Sequence, residues 1–211
     1  MSEPSAERVQ LQALLRDYNE YPERRDQTVA AIHEQFMRTV AILVLDSSGF
    51  TRTTRTFGIV HFLALLERLV RIVSPLIQVH NGTIIKTEAD NLFAVFERVD
   101  DAVRAAVQMQ SALRVANELL PASEEIAGSM GIGYGPVLMI GNEDLFGDEM
   151  NLACKLGEDL AEREEVLITD SAFKALSPEL TTRFTDAYFS ISGVELYAHR
   201  LIHDPMRGGA F

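Results

Sequence analysis

Residues 39–51 read TVAILVLDSSGFT, an apolar and partly β-branched run that stops at Asp46 and passes into a polar turn. A run of this kind is typical of a strand that is buried on both faces of a sheet. The sequence therefore predicts a buried strand over residues 39–45, with Asp46 at its end. An isolated aspartate at a strand end is usually a turn residue, so this position alone indicates no function.

The pattern on the C-terminal side of this strand alternates between helices and strands. Helical spacing continues from the turn to about Val79, and two short apolar segments then enclose a polar hairpin tip at residues 87–91. The further predicted elements are a helix capped by Asp100, strands at 126–134 and 137–140, a helix at 148–162, a strand at 166–169 and strand character over 181–203. This order predicts an α/β or α+β fold, with helices packed against one mainly antiparallel sheet.

Apolar residues at helical spacing predict two short amphipathic helices before the central strand, separated by a break at Pro22. Their apolar faces could pack on the rest of the chain or on a second copy, and periodicity does not distinguish these two partners. We expect an N-terminal helical segment at residues 1–37, a main domain at 38–205 and a tail at 206–211.

Charge and composition exclude several classes of protein. The chain has 211 residues and a net charge of −12, which argues against a nucleic-acid-binding surface. No apolar run has the length of a membrane-spanning helix, and the first residues lack a signal-peptide pattern, so we expect a cytoplasmic protein with no membrane partner. The single cysteine, Cys154, forms no internal disulfide, and no Cys/His group has zinc-site spacing.

Two aspartates are the best candidates for a functional site. Asp46 ends the buried strand, and Asp90 lies in the hairpin tip two elements later. If these strands are neighbours, the two carboxylates meet at one edge of the sheet, where they could hold hard divalent cations together with substrate phosphates. The intervening turn, residues 47–51, leads into a helix whose first backbone amides could bind a phosphate.

Four motifs carry a resemblance to a known family: residues 45–51 (LDSSGFT), 86–90 (KTEAD), 144–147 (DLFG) and 151–155 (NLACK). In order and spacing they resemble the catalytic domain of class III nucleotidyl cyclases, the adenylate and guanylate cyclases. The resemblance covers about residues 38–201. Each motif alone is weak, but their common register across more than a hundred residues makes chance an unconvincing explanation.

The resemblance implies a ferredoxin-like βαββαβ core and a head-to-tail homodimer with active sites at its interface. It implies conversion of ATP to 3′,5′-cyclic AMP and pyrophosphate with two Mg²⁺ or Mn²⁺ ions per site. The residues that it assigns to the metals are Asp46, Ser47 and Asp90. Those that it assigns to the substrate are Lys86 and Asp144 for adenine, and Ser48, Gly49, Phe50 and Thr51 in the turn. Those that it assigns to catalysis are Asn151, which orients the ribose, and Lys155.

Two positions depart from the family pattern. Lys155 stands where most relatives have a transition-state arginine, and lysine lacks the planar fork that binds two phosphate oxygens together. Ala89 replaces the usual glycine before Asp90, which would strain the hairpin if this position requires a positive φ. Two alternatives therefore stay open: a weak or inactive signalling module that binds nucleotide, and a cyclase for GTP or a pyrimidine. The N-terminal helices could also dock an unknown regulatory protein.

Overall fold

The computed structural model describes residues 4–48, 50–191 and 194–202. The helices are α1 (Ala6–Glu20), α2 (Arg25–Phe36), α3 (Phe50–Phe57), α4 (Ile59–Val79), α5 (Val99–Asn117), α6 (Asp148–Cys154), α7 (Asp170–Lys174) and α8 (Pro178–Thr181). The strands are β1 (Met37–Ser47), β2 (Thr83–Glu88), β3 (Asn91–Phe96), β4 (Gly128–Ile140), β5 (Asp144–Phe146), β6 (Val166–Thr169), β7 (Phe184–Ile191) and β8 (Val194–Leu201). The proposed tail at 206–211 lies outside the described residues.

One eight-stranded sheet forms the centre of the molecule, in the order β2-β3-β1-β4-β6-β8-β7, with β5 paired to β4. All neighbouring strands are antiparallel except β4 and β6. The path from β1 through α3 and α4 to β2, β3, α5 and β4 is the predicted βαββαβ core. The α+β class and the buried central strand are therefore confirmed, and residues 41–45 have no exposed surface.

Helices cover the two faces of this sheet unequally. On one face, α4 and α5 pack over the larger apolar core, which includes Leu69, Ile77 and Met109. On the other face, α6 and β5 cover a smaller core that includes Val44 and Phe93. Because β5 folds over this second face, residues from β2 and β5 come together there.

The N-terminal helices pack against the rest of the chain, which is one of the two arrangements that their periodicity allows. Leu11 of α1 forms a small buried cluster with Ile32 and Phe36 of α2 and with Ile140 at the end of β4. The helical hairpin is therefore docked on the end of β4. Within the described ranges, no helix combines the length and the apolar character that crossing a bilayer requires.

Two sequence-based boundaries were wrong. The predicted single helix before Val79 is divided at Gly58, whose φ of 88° is a left-handed conformation that glycine adopts at little cost. Residues 135 and 136 lie inside β4 rather than between two strands. Pro136 is tolerated because β4 pairs with β6 only at residues 130–132, which leaves that edge of β4 without a β6 partner at the proline.

Asp100 does not cap α5 as predicted. It lies within the first turn of the helix, and its carboxylate accepts a hydrogen bond of 2.9 Å from the backbone N–H of Ser177. Its side chain is almost fully buried. The aspartate therefore joins α5 to the residue before α8, a tertiary contact that no local pattern reveals.

Candidate active site

The two candidate metal-binding aspartates lie beside each other, where strand β1 ends and the β2–β3 hairpin turns. Asp46 pairs in register with Asn91 across β1 and β3, and Asp90 is the residue directly before Asn91. The backbone N–H of Ser47 donates a hydrogen bond of 3.1 Å to the carbonyl oxygen of Asp90. The antiparallel pairing predicted from the sequence thus brings the end of β1 against the hairpin tip.

Acidic neighbours surround the half-buried carboxyl group of Asp46. Burial, followed by the negative charges of Asp90, Glu158 and Asp159, raises the pKa of Asp46 to about 7. A carboxyl with such a pKa lacks a local positive partner for its ionised form. A divalent cation would supply that charge, so the electrostatics of this cluster suit a cation.

The donor atoms of this cluster also suit a hard cation. They are carboxylate oxygens, together with the Ser47 hydroxyl, which is buried and has no hydrogen-bond partner among the described residues. Among residues 4–48, 50–191 and 194–202, no group of three or more His, Cys, Asp or Glu side chains is arranged to hold a metal ion. The donor set is compatible with a site in which two carboxylates bind the cations and substrate phosphates supply the remaining ligands.

Lys86 and Asp144 form a second cluster, on the face of the sheet covered by β5. The Lys86 Nζ lies 2.9 Å from Asp144 Oδ1 and 2.8 Å from Glu88 Oε2, and it also lies 5.0 Å from the centre of the Phe93 ring. Burial disfavours the ammonium, but the hydrogen bonds to Glu88 and Asp144 outweigh this effect and raise the pKa of Lys86. The lysine is therefore fully charged at neutral pH.

A β-bulge aims Lys86 at this cluster. The register between β2 and β3 shifts between Ile84 and Lys86, so Ile85 has no paired partner on β3. Ile85 belongs to the core on the β5 face, and Lys86 lies over the ring of Phe93 from that same core. An extra residue in one strand redirects the side chains that follow it. The alternation of the sequence does not reveal this change.

Close backbone packing positions Asn151 on α6. A Cβ at Gly133 would lie 2.5 Å from the carbonyl oxygen of Glu149, so only glycine allows α6 this close to β4. The Glu149 carboxylate accepts hydrogen bonds from the backbone N–H of Tyr134 (3.1 Å) and the hydroxyl of Thr169 (2.9 Å). These contacts fix the first turn of α6, on which Asn151 is exposed.

Lys155 begins a wide π-helical turn over residues 155–160, where the sequence predicts a continuous α-helix. Its Nζ lies 2.6 Å from Asp159 Oδ2, one of the acidic neighbours of Asp46. π-helical turns within α-helices occur frequently at functional sites, although the feature itself assigns no role. Lys155 therefore approaches the acidic cluster through Asp159.

Two backbone N–H groups of the predicted phosphate-binding turn are already used in hydrogen bonds within the chain. The Ser47 N–H is used by Asp90, and the Ser48 N–H donates to the carbonyl oxygen of Ala127 over 2.9 Å. Gly49 lies outside the described residues. Phe50 and Thr51 begin α3, whose first amides have no preceding helical carbonyls as partners. A backbone phosphate contact therefore depends on the beginning of α3.

The structure thus brings Asp46 together with Asp90, and Lys86 together with Asp144. Across the described ranges, no hydrogen bond or ion pair joins one of these pairs to the other. Sequence reasoning missed Glu158, whose carboxylate accepts a 3.1 Å hydrogen bond from Asn91 Nδ2. Its only signal in the sequence is its place within an acidic stretch, residues 141–165, and charged stretches of this kind are usually solvated surface.

The fold and these clusters define a class III nucleotidyl cyclase domain. The model of the adenylate and guanylate cyclase catalytic domain family matches residues 32–198, and the chain belongs to that family.

The similar proteins include both adenylate and guanylate cyclases. A protein of Rhizobium meliloti (strain 1021) named "Putative adenylate cyclase 3" is 29% identical over 163 residues. The match covers 77% of this chain and 27% of that protein, so the chain spans about a quarter of the length of this relative.

Solved structures give the same fold. An adenylate/guanylate cyclase/hydrolase from Silicibacter pomeroyi superimposes with a TM-score of 0.67 at 25% identity, over 80% of this chain and 98% of that one. The guanylyl cyclase Cya2 superimposes with a TM-score of 0.66 at 23% identity, over 81% of this chain and 95% of that one. Because these names cover both purine nucleotides, the comparisons do not select a base.

Proposed function

We propose that this chain is an adenylate cyclase that converts ATP to 3′,5′-cyclic AMP and pyrophosphate. The observation that carries the proposal is the contact between the end of β1 and the hairpin tip, which places Asp46 beside Asp90. Two Mg²⁺ or Mn²⁺ ions held there would lower the pKa of the ribose 3′-hydroxyl and neutralise charge on the triphosphate.

The 3′-hydroxyl loses its proton to solvent, its oxygen forms a bond to the α-phosphorus, and the bond from that phosphorus to the pyrophosphate leaving group breaks. Asp46 and Asp90 hold the cations, with Ser47 beside them. Asn151 orients the ribose, while Lys155 supplies positive charge to the pentavalent phosphorus in the transition state. The amides at the start of α3, including those of Phe50 and Thr51, lie where a helix N-terminus favours an anion.

The choice of ATP rests on Lys86 and Asp144. A lysine donor complements the acceptor N1 of adenine, and a carboxylate acceptor complements its N6 amino group, whereas guanine presents the opposite pattern. The 2.9 Å separation of Lys86 Nζ from Asp144 Oδ1 and the contact of Lys86 with Glu88 hold the pair in place. The side chains are therefore preorganised for adenine.

The proposed active enzyme is a head-to-tail homodimer, in which one subunit supplies the metal aspartates and the other supplies Lys86, Asp144, Asn151 and Lys155. Exposed apolar side chains on α4 support this arrangement, since Val60 is 77% and Leu63 is 53% accessible in the single chain. A cleft lined by Leu63, Leu66, Val70, Thr87 and Ala89 joins this surface to the hairpin that carries Asp90. A second copy that covers α4 would therefore lie beside the metal site.

The test is a reaction of the purified full chain with Mn²⁺ and each of ATP, GTP, CTP and UTP, with the cyclic product identified by mass. The proposal predicts cyclic AMP as the main product. A main product from another nucleotide would replace the base assignment and keep the reaction. Absence of any cyclic product, with nucleotide still bound, would establish a non-catalytic module.

One observation favours that second candidate. Lys155 is paired to Asp159 at 2.6 Å, so its charge is partly neutralised where the proposed transition state requires it. Both side chains are well exposed, however, and a solvated ion pair of this type is worth only about 0–1 kcal/mol. The triphosphate can displace Asp159 from Lys155 at small cost, so this ion pair is compatible with catalysis.

A further inference from the structure

The helix α1 is docked on the turn that carries Asp144. Leu11 packs against Ile140 at the end of β4, and the Glu7 carboxylate lies against Gly141, the first residue of the turn. Gly141 has a φ of 49°, so the backbone turns sharply beside the helix. Motion of the N-terminal hairpin would therefore move the segment between β4 and β5.

Arg8 joins α1 to this turn through two ion pairs. Its Nε lies 3.2 Å from Glu143 Oε2, and its Nη2 lies 3.5 Å from Asp144 Oδ2. The side chain of Asp144 is only 17% exposed and that of Arg8 is 32% exposed. Hydrogen bonds from Ser5 and then Arg8 lower the pKa of Glu143. Glu143, one of the two acidic partners of Arg8, is therefore ionised at neutral pH.

The contacts of Asp144 show what Arg8 contributes. Oδ1 accepts from Lys86 Nζ at 2.9 Å and from the backbone N–H of Leu145 at 3.0 Å. Oδ2 faces Arg8. A carboxylate has about four acceptor positions: the two contacts of Oδ1 use two of them, and Oδ2 has only the 3.5 Å ion pair with Arg8 among the described residues, so it keeps an acceptor position for a further donor. Arg8 is thus the group that fixes the oxygen with a remaining acceptor position.

We infer that Arg8 of the N-terminal helix is a positioning residue for base selection, holding Asp144 so that the free acceptor position of Oδ2 meets the amino group of adenine. This inference rests on the proposed function, because it takes Asp144 as the residue that contacts the base. Arg8 acts through Asp144 and does not contact the reacting atoms. It makes the N-terminal hairpin part of the specificity apparatus.

The test compares Arg8→Ala with Arg16→Ala, which removes an exposed arginine two turns further along the same helix. Steady-state kinetics with Mn²⁺-ATP and Mn²⁺-GTP should show an ATP KM raised about threefold to tenfold in Arg8→Ala, with the ATP-over-GTP ratio of kcat/KM lowered by the same factor. The value of kcat should change little. Arg8→Lys should restore part of the preference, and Arg16→Ala should match the wild type.

A structural effect on the helix would give a different pattern. If Arg8→Ala and Arg16→Ala change KM and kcat equally, or if Arg8→Ala keeps the wild-type base preference, the inference is wrong. Should Arg8→Ala fail to fold by circular dichroism, Glu143→Ala removes one anchor of Arg8 and leaves the helix intact. It should shift base preference in the same direction by a smaller factor, and an unchanged preference would overturn the inference.

Binding separates this inference from the proposed function. Calorimetry with non-cyclisable ATP and GTP analogues requires no turnover, so it tests Arg8 even if the wild type makes no cyclic product. An adenine preference that is present in the wild type and reduced in Arg8→Ala supports the role of Arg8. Equal base preferences in the two proteins would contradict it, whatever the turnover assay gives.

Discussion

Ser47 donates its backbone N–H to the carbonyl oxygen of Asp90 over 3.1 Å, and this bond joins the end of the central strand to the tip of the β2–β3 hairpin. The in-register pair of Asp46 and Asn91 lies directly beside it. The separation of the two candidate metal ligands is therefore set by backbone pairing rather than by flexible side chains. A change in the backbone of the hairpin tip should therefore alter the position of Asp46 relative to Asp90.

The first prediction concerns Ala89, which has a φ of 53° in that tip. A left-handed conformation costs a residue with a Cβ about 1–2 kcal/mol, and glycine avoids this cost. Ala89→Gly should raise the free energy of unfolding by about 1 kcal/mol and the Tm by about 2–4 °C.

Thermal unfolding checks this expectation, with Ala161→Gly as the control. Ala161 has a φ of −70°, an ordinary conformation in which glycine gains nothing. That variant should be less stable than the wild type because glycine adds flexibility to the unfolded chain. A lower Tm for Ala89→Gly would show that the hairpin is not strained at this position.

The sequence predicted much of the fold because the relevant signals are local. The apolar run before Asp46 is long enough to be read as a buried strand, and the polar residues between the β2 and β3 segments predict a hairpin. The convergence of Asp46 and Asp90 then follows from antiparallel pairing, which the structure has. The positive φ suspected at Ala89 is likewise present.

Other features depend on contacts between distant segments, and the sequence pattern did not reveal them. The bulge at Ile85 and the π-helical turn that begins at Lys155 have no counterpart in the spacing of apolar residues along the chain. Arg8 is more than 130 residues from Glu143, and nothing in the periodicity of α1 distinguishes it from the other arginines. Tertiary ion pairs of this kind require coordinates.

The second prediction concerns Lys86. Lys86→Thr should lower the ATP-over-GTP preference by about tenfold or more, because a hydrogen bond from a charged donor contributes about 1.5–3 kcal/mol. Product formation from the two nucleotides in competition measures the preference. Glu88→Ala is the control, since it removes one partner of Lys86 but keeps the contact with Asp144. A wild-type preference in Lys86→Thr would remove the proposed role of this lysine.

The third prediction concerns Lys155. Lys155→Arg should raise kcat by about threefold to tenfold, because a guanidinium binds two phosphate oxygens in one plane. Lys155→Ala should lower kcat by about a hundredfold with a smaller effect on KM. Turnover of Mn²⁺-ATP by both variants checks this pair of outcomes. Equal rates for lysine, arginine and alanine would show that this position does not act in the transition state.

The fourth prediction concerns the single thiol. Burial, followed by the charge of Glu158, raises the pKa of Cys154 from 9.0 to about 12. Since the thiolate is the reactive form, a disulfide reagent at pH 8 should modify the folded protein at least about a hundredfold more slowly than the protein unfolded in guanidinium chloride.

The same shift has a definite sign for stability. The folded thiol keeps its proton at pH values where the unfolded thiol loses it, so the free energy of unfolding should fall as pH rises from 9 toward 12. Cys154→Ser, whose hydroxyl does not titrate in this range, should show a weaker decline. Rapid modification of the native protein at pH 8 would contradict the raised pKa of the half-buried Cys154.

The central claim is that Asp46 and Asp90 together hold the cations that cyclise ATP. Its most direct test is the amount of cyclic AMP, identified by mass, formed from Mn²⁺-ATP by the wild type, Asp46→Asn and Asp90→Asn, with Asp17→Asn on the exposed surface of α1 as the control. We predict that the wild type and Asp17→Asn are equally active, while each of the other variants folds normally and loses about a hundredfold or more of its turnover. Wild-type rates in folded Asp46→Asn and Asp90→Asn would contradict the claim.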